Sequence, residues 1–299
     1  MIKTVNVFDL YHVKFKKSDV LHRIKKHANR NQYLHVGDDL WVRNPWASNV
    51  PYTDINSLTE VTDYSTLLRN ELVNDRMKYP WIDSENIRSE KAIIISDGFD
   101  FEEKHIELAK MLSNVNVFVI NGALIKWKSK TKQPNYYIIN NPYKQAMYYL
   151  PKSTSVKCIA SARTNYEFLQ KYNGQKYKYY PVGDSRYCGL DSKDCTYRID
   201  DYRNAICGAI NLLGKFGVKK LMLAFCDEVF DDVRPGSIMG DNGKSYYPQQ
   251  LKANNLIDGN LYWLSKSNGC KVVQNTAGPK LKTATHISLE ETMNFFQEK

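Results

Sequence analysis

From Lys91 onward, short apolar runs alternate with segments whose apolar positions recur every three or four residues. The runs are Lys91–Ser96 (KAIIIS), Val115–Asn121 (VNVFVIN), Asn135–Asn140 (NYYIIN), Val156–Ser161 (VKCIAS), Tyr177–Val182 (YKYYPV), Lys219–Cys226 (KKLMLAFC) and Lys271–Asn275 (KVVQN). Continuous apolar stretches of this length, closed by Asp, Asn, Ser or Gly, predict buried strands. Between them lie predicted helices. Phe101–Leu112 places Ile106, Ala109 and Leu112 on one face, with acids in its first turn and Lys110 in its last. His105, on the same helix, is expected to be exposed. A helical turn is predicted at Gly122–Trp127, a helix bounded by prolines at Pro142–Pro151, and another at Arg163–Tyr172. Tyr202, Ala205, Ile206, Ala209, Ile210 and Leu213 repeat at helical spacing behind Asp201 as N-cap, with Gly214 and Gly217 at the exit. Ala253, Ile257, Leu261 and Leu264 mark one face of a helix over Gln249–Ser267, and Ser288–Phe296 predicts a terminal helix.

Strand and helix in alternation predict an α/β fold, a doubly wound, mostly parallel Rossmann-like sheet with helices on both faces. Ligands in such sheets bind beyond the carboxyl ends of the strands. Polar residues follow nearly every strand here: Ser96-Asp97-Gly98, Asn121-Gly122, Asn140-Asn141, Ser161, Asp227-Glu228 and Asn275-Thr276, with Gly278 close behind. Each of these also has a plain reason to stand in a turn. Their convergence on one edge makes that edge the candidate site. Glu228 is expected at the surface.

Residues 1–88 are patterned differently. They carry Trp41, Trp46 and Trp81, turn clusters such as NPWASNVPY, and little regular alternation. Lys17–Arg30 predicts a basic helix, and Gln32–Val36 with Leu40–Arg43 a hairpin around Gly37-Asp38-Asp39. The expected division is an N-terminal cap or small domain over 1–88 and a Rossmann-like nucleotide-binding domain over 89–299.

Composition narrows the classes. The 299 residues are 42% hydrophobic and 25% charged, an ordinary globular balance. No run approaches the roughly 18 apolar residues of a membrane span, and MIKTVNVFDLYHVKFKK does not read as a secretory signal, so a cytoplasmic protein is expected. The six Cys are scattered, without a C-x-x-C pair or zinc-ligand spacing. Cys207 and Cys226 sit in apolar runs as small hydrophobes, and an intracellular chain argues against a Cys188–Cys195 bridge. The net charge of +10 gathers in Lys14–Arg30 and Lys126–Lys132. No groove-reading module accompanies it, so no sequence-specific nucleic acid is expected as partner. A homo-oligomer is left open.

The order of strand 91–96 with its glycine turn, NVFVINGAL, QPNYYIINNP, YRNAICGAINLLGKFGVKKLMLAFCDEVF and GCKVVQNTAGPKLKTATHISLEETM resembles one family. It contains the archaeal-type 6-hydroxymethylpterin diphosphokinases and the bacterial motility accessory factors, whose Rossmann-like core is related to that of small bacterial sialyltransferases. The likeness covers about residues 90 to 296. It implies a nucleotide site along Ser96, Gly98, Asn121, Gly122, Asn140, Asn141, Thr276 and Gly278. It also implies Asp97 and Asp227 as catalytic residues holding Mg²⁺. Two positions depart from the pattern. The family's first turn, G-x-G-P-S-L, is Ser96-Asp97-Gly98-Phe99-Asp100-Phe101 here, and Ala224 stands at the glycine of the strand-end G-x-D element, whose Asp is kept as Asp227. The sialyltransferase-like mechanism needs a histidine base before the long helix. The stretch GKSYYPQQLKANN has none, with Tyr246, Tyr247 and Lys252 in its place. The first expectation is therefore diphosphoryl transfer from ATP to a small-molecule acceptor, which can run on positioning and metal electrostatics. The alternatives are a glycosyltransferase using a nucleotide sugar, or a non-catalytic binding or structural protein on the same fold.

Overall fold

The structure of the protein, a computed structural model, describes residues 33–37, 40–43 and most of 66–182 and 198–298. Glu228, 231–237, 240–244 and some single positions lie outside the description, as do the basic run Lys14–Arg30, Cys188, Cys195 and Tyr247. A hairpin pairs β1 (Tyr33–Gly37) with β2 (Leu40–Arg43), antiparallel, where the alternation around Gly37 predicts one.

The main body follows in chain order: β3 (Lys91–Ile95), α1 (Phe101–Lys110), β4 (Asn116–Ile120), α2 (Ala123–Lys126), β5 (Tyr136–Ile139), β6 (Lys157–Ser161), α3 (Tyr166–Lys171), β7 (Lys176–Val182), β8 (Arg198–Asp200), α4 (Ala205–Lys215) and β9 (Lys220–Ala224). After β9 a small antiparallel sheet is made by β10 (Val229–Phe230), β11 (Ile238–Met239) and β12 (Ser245–Tyr246). The chain ends with α5 (Pro248–Asn268), β13 (Lys271–Asn275), β14 (Thr285–His286) and α6 (Thr292–Gln297).

Nine strands form one sheet in the order β14-β13-β9-β3-β4-β5-β6-β7-β8, with every neighbouring pair parallel. Side chains alternate across it. Ala92, Ile94, Phe118, Ile120, Leu221 and Leu223 pack under α4 and α5. Ile93, Ile95, Val117, Val119, Met222 and Ala224 pack with residues of α1, α3 and α6. Burial on both faces explains why these strands read as unbroken apolar runs.

Several elements differ from the sequence expectation. Pro142–Pro151 holds only a 3₁₀ turn, Lys144–Tyr149. Helix α4 begins at Ala205, and its N-cap is Asn204, whose Oδ1 accepts from Ile206 N at 2.9 Å and Cys207 N at 3.2 Å. Asp201 is instead buried and accepts from the Tyr179 hydroxyl at 3.0 Å. The exit of α4 is as expected. Gly217, at φ 81°, allows Gly217 N to reach Gly214 O and Val218 N to reach Leu213 O, closing the last turn. Helix α1 turns Phe101, His105, Leu108 and Ala109 inward and leaves Ile106 exposed. His105 is fully buried, stacked on Phe101 at 4.5 Å. Its Nε2 accepts from Lys128 N, so Nδ1 carries the proton and donates to Phe101 O.

Residues 66–88 run along the β6–β7 side of the sheet from one edge to the other. Helical positions within 66–76 bring Asn70 and Asn74, whose amides donate to the backbone oxygens of Pro142, Arg163, Ala162 and Thr164. Glu71 forms a buried ion pair with Arg163 at 3.0 Å. A 3₁₀ turn, Ile82–Glu85, then brings Glu85 to Lys157, Tyr177 and Tyr136 at the amino ends of β5, β6 and β7.

Candidate functional site

The chain leaves β3 in one direction through β4, then returns through α4 to lay β9 on its other side. A crevice between β3 and β9, outside their carboxyl ends, is the position such a reversal creates. A cavity of about 370 Å³ lies along this edge, lined by Ser96, Asn121, Asn140, Asn141, Cys226 and Asp227 from the strand exits. Pro142, Tyr143 and Tyr149 of the β5–β6 connection, Asn204–Ile206 at the start of α4, and Ala253 and Ile257 of α5 complete the wall. That volume suits a small organic ligand.

The side-chain amides have defined orientations. Asn140 Oδ1 accepts from Asn204 N at 3.1 Å and from Ala205 N at 3.3 Å, so it helps cap α4. Asn141 Oδ1 accepts from Tyr143 N at 2.9 Å. Both oxygens are spent on backbone, and the Nδ2 groups are the ends left for a ligand. Asn121 follows β4 in the left-handed region at φ 51°, a conformation asparagine tolerates better than most residues. Among the described residues no lysine or arginine lines the cavity. The wall offers neutral donors. Burial first, then the charge of Asp227, pushes the Cys226 thiol well above its ordinary range and keeps it protonated.

Asp227 is buried, and its carboxylate gathers donors from two loops. Oδ1 accepts from Phe99 N at 3.0 Å. Oδ2 accepts from Thr276 Oγ1 at 2.6 Å and from Ala277 N at 3.1 Å. Gly98 N, one residue before Phe99, donates to Phe225 O at 3.0 Å. A Cβ on Gly98 would meet Phe225 O, Asp227 O and Asp227 Oδ1, so only glycine lets the β3 loop lie against the β9 exit. Phe225 itself is left-handed at φ 54°, and its ring packs edge-on to Phe101 at 5.7 Å. The backbone position that asks for glycine is thus Phe225, one residue beyond Ala224.

Of the ten residues singled out in the sequence, Ser96, Asn121, Asn140, Asn141 and Asp227 line the cavity. Asp97, Gly98, Gly122, Thr276 and Gly278 do not. Asp97 is turned to Gly122, where a Cβ would strike its carboxylate, and to Lys126 Nζ at 3.4 Å. Thr276 serves Asp227 and also accepts from Gly278 N at 2.9 Å. This arrangement does not suit the divalent ion expected between Asp97 and Asp227. Donors already occupy both oxygens of Asp227 and Lys126 faces Asp97, whereas Mg²⁺ held through one or two carboxylates needs those oxygens open. The amides of Gly98 and Phe99, which a phosphate-cradling turn needs free, are bonded within the chain.

Sequence reasoning missed Asn204, Tyr143, Tyr149, Ala253 and Ile257. Asn204 was legible as a cap residue three positions after Asp201. Ile257 carries the helical period of a core face, and nothing in that period separates core from cavity wall.

No family model and no curated protein sequence matches the chain. Among solved structures it is similar to the MAf glycosyltransferase from Magnetospirillum magneticum AMB-1, with a TM-score of 0.55 at 13% identity. The match covers 91% of this chain and 47% of that one, so the chain spans about half the length of that protein. At this identity the likeness is one of fold. It agrees with the Rossmann-like α/β class. Among the described residues no helix is long and apolar enough to cross a membrane.

Proposed function

We propose that this protein is a glycosyltransferase that takes a nucleotide sugar as donor and a small hydroxyl-bearing molecule as acceptor. The observation that carries the proposal is the cavity at the β3–β9 reversal, lined by neutral amides and holding no lysine or arginine among the described residues. A triphosphate with its metal calls for cations or clustered carboxylates. A nucleotide sugar carries less phosphate charge than a triphosphate, and its ribose, base and sugar are uncharged polar groups whose oxygens and ring nitrogens the free amide Nδ2 groups can meet. The fold likeness to a MAf glycosyltransferase supports the same reading over ATP-dependent diphosphoryl transfer.

In this reading Asn121, Asn140 and Asn141 hold the donor, with Ser96 at the cavity floor. The acceptor oxygen attacks the anomeric carbon as the bond from that carbon to the phosphate oxygen breaks. The nucleotide leaves with the electron pair on its phosphate oxygen, and the acceptor proton passes to that departing oxygen. N–H donors fixed in the wall would stabilise charge developing on the leaving oxygen. In this reading residues 89–299 are the transferase domain, and 66–88 pack along it through Asn70, Glu71, Asn74 and Glu85.

A thermal-shift series on the full chain tests the proposal, since a ligand that binds only the folded state raises the melting temperature. Nucleotide sugars are expected to raise it with or without Mg²⁺, and Asn121→Ala and Asn141→Ala to remove the response. A response to ATP that requires Mg²⁺, with none to nucleotide sugars, would restore the diphosphokinase reading. No response to any nucleotide would leave a binding protein of another kind.

A further inference from the structure

The Asp227 carboxylate sits where three donors converge. The Phe99 amide comes from the loop after β3, and the Ala277 amide and Thr276 hydroxyl come from the loop after β13. Backbone amides converging with a hydroxyl are the makings of an anion nest. Here the anion belongs to the chain. Its three bonds reach Phe99, Thr276 and Ala277, which lie 128, 49 and 50 residues away in sequence, in two separate loops. The nest is buried, and among the described residues no lysine, arginine or histidine pairs with Asp227. Charge-assisted bonds in such a place are strong, and each donor left unpaired is costly.

We propose that Asp227 is a positioning residue: its carboxylate is the resident anion of a nest that locks the β3 and β13 loops onto the β9 exit and so sets the wall of the cavity. The proposal deepens the glycosyltransferase reading but does not depend on it, because the lock forms without any substrate. The Asp97–Asp227 metal pair expected from the sequence is replaced by this role for Asp227.

Chemical rescue tests it. Asp227→Ala empties the nest and leaves room for a small carboxylate. The full-chain variant is expected to melt roughly 5–10 °C lower than the parent. Formate or acetate should recover much of that loss, while chloride at equal ionic strength should not. Asp227→Asn fills the same space with an amide whose Nδ2 faces donors, and should not respond to formate. Hydrogen exchange should speed up at the Phe99 and Ala277 amides together in Asp227→Ala and slow again with formate. If the Ala variant does not fold, Thr276→Val removes one donor and should loosen Ala277 and Phe99 in step. Equal formate responses in parent, Ala and Asn variants would overturn the proposal. So would exchange that rises at one loop and not the other, or parent Asp227 binding Mn²⁺ in a titration that Asp227→Asn abolishes. Failure of every nucleotide sugar to bind, with formate rescue intact, would sink the glycosyltransferase reading and leave the nest standing.

Discussion

At the amino edge of the sheet Glu85 receives Lys157, Tyr177 and Tyr136, all side chains, from three strands that are already paired with one another. At the carboxyl edge Asp227 receives two backbone amides and one hydroxyl, from loops that no ladder joins. Glu85 has a cation among its partners, and among the described residues Asp227 has none. The first carboxylate reinforces contacts that would exist without it. The second adds to a backbone contact between Gly98 N and Phe225 O and draws in the residues after β13, beside the cavity. The backbone differs in the same sense. Of the four left-handed residues other than glycine among the described residues, Asn121, Phe225 and Asp100 follow the carboxyl ends of β4, β9 and β3, and only Lys78 lies in the segment that leads to Glu85. Backbone of this kind has to be held by its surroundings.

The largest expected effect concerns the segment that touches both edges. Glu71→Leu leaves Arg163 buried without its carboxylate and should cost about 3–5 kcal/mol, measured by urea unfolding. A chain cut to 90–299 loses Asn70, Asn74 and Glu85 as well, and should be destabilised further while keeping the sheet. A cut chain as stable as the parent would show that the cap contributes nothing to either edge.

Gly98→Ala comes next. Its Cβ would meet backbone oxygen of Phe225 and Asp227, which cannot swing aside as a side chain would. A loss of about 3 kcal/mol is expected, with ligand response lost before stability is. By contrast, no heavy atom lies within 4 Å of a Cβ built on Gly217, so Gly217→Ala meets only the strain of φ 81° and should cost about 1 kcal/mol.

Glu85 makes a pH test. Burial alone would push its carboxyl up, but hydrogen bonds from Lys157 and Tyr177 and the Lys157 charge outweigh burial and hold it below the ordinary value of 4.5. A depressed folded value means the contribution is complete above 4.5 and is lost as pH falls through the folded value. Glu85→Gln should cost about 1–2 kcal/mol at pH 7, and the gap between variant and parent should close in acid. A gap that stays constant from pH 7 to pH 3 would mean that the charge on Glu85 is idle. The smallest change in stability is expected for Asn121→Gly, within about 1 kcal/mol, since glycine accepts the left-handed turn. Its response to nucleotide sugars should nevertheless fall, because the amide is gone.

The sequence made the sheet legible because its central strands are buried on both faces and carry no interruptions. It hid β8 and β14, three and two residues long at the two margins of the sheet, since RID and TH offer no run to detect. His105 was misplaced because residue type says polar while its two ring nitrogens find partners inside. At the site, the strand-end asparagines were visible in advance. The role of Asp227 was not, because its partners are backbone amides 128 and 50 residues away, and backbone is common to every residue type.

The strand order also governs how the chain acquires its shape. Strand β3 ends at Ile95 and finds one neighbour almost at once in β4, but its other neighbour, β9, begins only at Lys220. Until then the growing chain holds Ala92–Ile95, wholly apolar, with one edge bare. Such an edge is a template for pairing with other chains. The middle of the sheet is therefore sealed only after β4 to β8 have been made, and long-range pairing of this kind is slow. A truncation anywhere between β8 and β9 would leave a protein with most of its strands and no finished centre, a form to look for in the insoluble fraction.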